Sequence, residues 1–65
     1  MFVLSRSQMV KNKIEMLNQG YSAYEESDEL IRMLKREISN QQLSVICDYG
    51  NSGCWFIPES LQDNH

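Results

Sequence analysis

The sequence predicts an α+β domain, with two or three helices first and a β-hairpin last. Three observations predict it. Apolar residues recur at helical spacing through the first forty positions. The pattern then changes to β-branched and aromatic runs at 43–49 and 54–58. Between those runs lies Gly50-Asn51-Ser52-Gly53, residues suited to a tight turn. A chain of 65 residues makes one small domain, 1–65, with a thin core. Its polar end, 59–65, reads as a loosely ordered tail.

The first helix is expected over 5–18. Ser5 and Gln8 have capping-box spacing, and Val10, Ile14 and Leu17 form one apolar stripe. Gly20 suits the left-handed position that ends a helix. Ser22 with Glu25 repeats the capping-box spacing, so helix is expected over 22–40. Ser27-Asp28-Glu29 reads as a second helix start inside that run, which leaves one long helix or a short one, a turn and a longer one. Leu30, Ile31, Leu34 and Ile38 supply the apolar stripe of the later part. Arg32, Lys35, Arg36 and Ser39 then fall outside it.

In the hairpin, pairing Gly50 with Gly53 sets Cys47 opposite Phe56 and Tyr49 opposite Cys54. Val45, Cys47, Tyr49, Cys54 and Phe56 share one face, and Ile46, Trp55 and Ile57 share the other with Ser44 and Asp48. A lone hairpin is not stable in water, so one face must cover the helices. Phe2-Val3-Leu4 is available as a short third strand. The opposite face leaves Ile46, Trp55 and Ile57 as candidate protein-interface residues.

Composition narrows the function. The one histidine is His65, so no histidine-based triad or zinc pair can be assembled, and the chain reads as a non-enzyme without cofactor or metal. Cys47 and Cys54 are too few for a disulfide framework and read as small buried hydrophobes. No apolar run approaches the roughly 20 residues that span a bilayer, and Met1-Phe2-Val3-Leu4 is shorter than the apolar part of a secretory signal. A cytoplasmic protein with reduced thiols is expected. The net charge of −3 is unevenly spread: +2 over 1–20, −2 over 21–40 and −3 over 41–65. The acids Glu25, Glu26, Asp28 and Glu29 suit the positive end of a helix.

The segment from Leu34 to Ser60 also carries a family likeness. A basic amphipathic helix, then Val45-Ile46-Cys47, then Gly53-Cys54-Trp55-Phe56-Ile57-Pro58-Glu59-Ser60, resembles the end of small winged-helix domains found in phage and prophage DNA-binding proteins. The resemblance covers residues 34–60 and implies a winged-helix-like fold. It also implies a regulator that binds duplex DNA, with Arg32, Lys35, Arg36 and Ser39 entering the major groove and Lys11 meeting phosphate. Lys13 would assist from the first helix. A hairpin without a single Lys or Arg, and an overall acidic chain, favour a second reading. This is a small acidic protein that binds and inhibits or modulates a host or self partner, possible homodimers included, through the exposed hairpin face.

Overall fold

The computed structural model describes residues 5–59. Helix α1 runs Arg6–Asn18, strand β1 Ala23–Glu25, helix α2 Asp28–Asn40, strand β2 Val45–Tyr49 and strand β3 Cys54–Pro58. The fold is α+β: two helices back one face of a three-stranded antiparallel sheet of order β1-β3-β2.

Both helices begin at the expected serines. The Ser5 hydroxyl accepts from the Gln8 N–H and the Ser27 hydroxyl from the Leu30 N–H. The Gln8 side chain does not reach back to close a capping box; it donates to Asn12 Oδ1 at 3.1 Å. Both helices end in the same motif. After α1, the Tyr21 N–H bonds the Met16 carbonyl and the Gly20 N–H the Leu17 carbonyl, with Gly20 at φ 94°. After α2, the Leu43 N–H bonds the Ile38 carbonyl and the Gln42 N–H the Ser39 carbonyl. Here the left-handed position is held by Gln42, at φ 56°. This turn uses Leu43, and β2 starts at Val45, two residues later than the expected 43.

The expected helix over 22–40 is corrected: it covers only Asp28–Asn40, and Ala23–Glu25 is a strand. Two groups decide against helix there. Ala23 pairs with Phe56 and is almost fully buried beside it. The Glu25 carboxylate accepts from the Glu26 and Ser27 N–H groups at 3.0 and 2.9 Å, which turns the chain before α2. The Ser22–Glu25 capping box does not form. The third strand is therefore β1, and Phe2-Val3-Leu4 lies outside the described residues.

The hairpin has the expected register. Cys47 pairs with Phe56, Tyr49 with Cys54, and the Gly50 N–H bonds the Gly53 carbonyl at 2.8 Å. Glu59 remains in register, its N–H bonding the Ser44 carbonyl, while 60–65 of the expected tail lie outside the described residues. Strict alternation sends Ala23, Cys54 and Phe56 toward the helices, where they join Val10, Ile14, Leu17, Leu30, Ile31, Leu34 and Ile38 in the core. Phe56, Leu34 and Cys54 are fully buried at its centre. Pro58 closes the sheet on the β1 side, because the position opposite Tyr21 lacks the N–H that a longer β1 needs.

Gly53 sits where two strands and a ring converge. A Cβ there would lie 2.6 Å from the Glu25 carbonyl and 2.7 Å from the Tyr24 hydroxyl, whereas at Gly50 the nearest atom is 3.8 Å away. Gly53→Ala is expected to destabilise by about 1–3 kcal/mol through this overlap. Gly50→Ala should stay within about 0.5 kcal/mol. Urea-denaturation midpoints of the two variants check this contrast.

Candidate functional site

The exposed side of α2 carries the predicted cations. Arg32, Lys35, Arg36 and Ser39 are all exposed, opposite the buried Leu30, Ile31, Leu34 and Ile38. Lys11 is exposed on α1. A groove of about 420 Å³ runs between the helices, with Val10, Ile14 and Met33 along it and Lys11 and Arg36 both lining it. Glu37 also lines the groove and accepts from the Gln41 side chain at 2.8 Å. The structure thus brings Lys11 and Arg36 together across one cleft.

Two further cations, Arg6 and Lys13, are engaged within the fold. Arg6 Nε lies 3.3 Å from Glu29 Oε1, both largely solvated, a contact worth little in itself. It takes Glu29 away from its helical neighbour Arg32. Lys13 is not on the basic surface: its Nζ donates to the Tyr24 carbonyl at 2.9 Å and lies 3.6 Å from Glu25 Oε1. Among the described residues Lys11, Arg32 and Arg36 take part in no ion pair.

Lys35 is partly committed. Its Nζ donates to the Tyr49 hydroxyl, and that bond raises the lysine pKa above its ordinary value. The nitrogen lies 5.0 Å from the ring centre and is bonded at the hydroxyl, so the phenol oxygen carries the contact more than the ring face. The link ties α2 to the end of β2. Pairing alternation alone signals that Tyr49 shares the helix-facing side, so this partner of Lys35 was within reach of the sequence.

The far side of the sheet holds the predicted interface residues. Trp55 is 48% exposed, and Ile46 and Ile57 are half-buried. Tyr24 joins them, its ring centre 5.0 Å from that of Trp55 at a 46° tilt. Tyr24 and Trp55 face each other without exchanging hydrogen bonds, the arrangement that brings cross-strand side chains closest. The sequence pattern does not reveal Tyr24 here, because Ser22 and Glu25 have the spacing of a helix start.

The cysteines are both free, Cys47 half-buried and Cys54 fully buried. Burial, with Cys47 alongside, pushes the Cys54 thiol up from its ordinary pKa, and its Sγ is directed at the Trp55 carbonyl at 3.6 Å. Among the described residues no three His, Cys, Asp or Glu side chains gather as a metal site, and no helix is long and apolar enough to cross a membrane.

Fold and surface together define a small α+β protein with one basic helical face and one aromatic sheet face. The chain belongs to the YtzJ family, whose model matches residues 1–57. It is 40% identical to the uncharacterized protein YtzJ of Bacillus subtilis (strain 168) over 65 residues, covering both chains in full. No solved structure matches.

The thiols differ in access, and burial raises the Cys54 pKa, so they should differ in reactivity. In the folded chain iodoacetamide is expected to modify Cys47 first and leave Cys54 intact, and in urea to modify both. Mass spectrometry of the alkylated chain reads the sites.

Proposed function

We propose that this chain is a small DNA-binding regulator of winged-helix type, with α2 as the helix that enters the major groove. The observation that carries the reading is the set of exposed cations with no intramolecular ion pair among the described residues: Lys11, Arg32 and Arg36. The strand order β1-β3-β2, with α2 followed directly by the β2–β3 hairpin, supports it as the arrangement of a winged helix. The turn at Glu26-Ser27 stands where a fuller winged helix has a further helix. Arg32 and Arg36, one helical turn apart, reach the paired acceptors of guanine edges. Lys11 neutralises phosphate from across the groove, and Ser39 extends the contact toward the end of α2. Lys35 reaches the same surface while held by Tyr49.

Binding of this kind depends on few charges. Duplex DNA should be retained at low salt, with log affinity falling against log salt at a slope of about −1 per chain, for the one phosphate contact made by Lys11. The double variant Arg32→Ala, Arg36→Ala should lose at least about tenfold in affinity. Absence of any shift in duplex mobility at low salt would sink the reading.

A second reading rests on the opposite face, where Trp55 is half-exposed between Tyr24, Ile46 and Ile57. Large aromatic side chains left open in this way anchor protein interfaces. On this reading the acidic chain inhibits or modulates a protein partner. Trp55→Ala should then abolish capture of that partner while leaving the circular dichroism spectrum unchanged. Loss of capture only in the arginine variants would count against it.

A further inference from the structure

The two edges of the sheet are not alike. On β1, Tyr24 is the residue whose backbone groups point away from β3, since Ala23 and Glu25 exchange hydrogen bonds with Phe56 and Cys54. The outward Tyr24 carbonyl is taken by Lys13 Nζ at 2.9 Å. A lysine laid along a strand edge blocks its extension.

The edge of β2 has no such cover. The bonds Gly50 N–H to Gly53 and Glu59 N–H to Ser44 fix the alternation along the hairpin. Ile46 and Asp48 therefore bond to β3, and Val45, Cys47 and Tyr49 direct their N–H and C=O groups outward. Among the described residues none of these outward groups has a hydrogen-bond partner. Neither Lys nor Pro lies within Val45–Tyr49. An edge of this kind is chemically specific: what satisfies it is another extended strand.

We propose that the occupant is β2 of a second copy, paired antiparallel about a two-fold axis through Cys47, which joins two three-stranded sheets into one of six strands. The sequence of β2 is self-complementary in that register. Val45 faces the second copy's Tyr49 and Cys47 faces its counterpart, and these are the residues with outward backbone groups. Ile46 faces the second copy's Asp48, so no carboxylate meets a carboxylate. Centring on Cys47 is the arrangement that pairs all five residues of the strand. The half-buried Val45 and Cys47 side chains, which pack at the border of the core, gain neighbours on their open side. Both α2 helices then lie on the same side of the joined sheet.

The test needs no DNA, so it stands or falls apart from the regulator reading. Sedimentation velocity under reducing conditions, on the full chain, should show twice the 7.6 kDa chain mass. Cys47→Ala keeps the backbone N–H and should keep the dimer. Cys47→Pro removes an N–H that no bond among the described residues uses, and should leave a folded monomer. Amide exchange gives a second readout that does not depend on any variant folding. The Val45, Cys47 and Tyr49 amides should exchange slowly at high concentration and become fast on dilution, while Ile46 and Asp48 stay slow. A wild-type chain that is monomeric up to about 0.1 mM would overturn the proposal. So would outward amides that are protected regardless of concentration, because the chain's own ends would then be covering the edge.

Discussion

Strand β3 is hydrogen-bonded on both sides, and its Cys54 and Phe56 are wholly buried against the helices. A chain this short has room for one such strand, and the other elements take their places from it. Phe56 needs apolar neighbours from both helices, which fixes α1 and α2 on one side. β1 must leave α1, pass along β3 and return to α2 within a few residues, and the Glu25 carboxylate makes that return possible by holding the Glu26 and Ser27 amides. Pro58 limits how far the β1 side can extend. The aromatic face then follows from alternation: with Cys54 and Phe56 inward, Trp55 has to point out.

Much of this was legible in the residues. The α2 stripe is unambiguous because Leu30, Ile31, Leu34 and Ile38 fall on one face, and everything else on that helix is polar or partly buried. The hairpin register could be derived from Gly50 and Gly53 alone. β1 could not. Ala23-Tyr24-Glu25 is too short to show a period of two, and Ser22 with Glu25 is a good imitation of a helix start. What makes it a strand is contact with Trp55 and Phe56, far along the chain, and tertiary contact overrides local propensity. Gln42 is a similar case. Glycine announces a left-handed turn, as at Gly20, but a glutamine in that conformation is imposed by the need to close α2 before β2. The exposure of Arg32, Lys35, Arg36, Ser39 and Lys11 was readable from helical spacing. The withdrawal of Lys13 was not, since its partners lie on a strand the pattern concealed.

Net charge is a poor guide to the surface of this protein. Three of the four acids at 25–29 have structural roles: Glu25 holds the turn and pairs with Lys13, Glu29 pairs with Arg6, and Asp28 and Glu29 occupy the first turn of α2. Their effect is to leave other cations open. A chain that is acidic in total thus presents a locally basic helix face, and an aromatic sheet face on the opposite side.

Lys13 has a consequence beyond the bonds it makes. A sheet with two open edges is a template at both ends, and copies add to it without limit, as in fibres. A sheet with one edge closed can be extended once. On the pairing proposed for β2, this single side chain lying along β1 sets a stopping rule, and growth ends at a finite, two-fold particle.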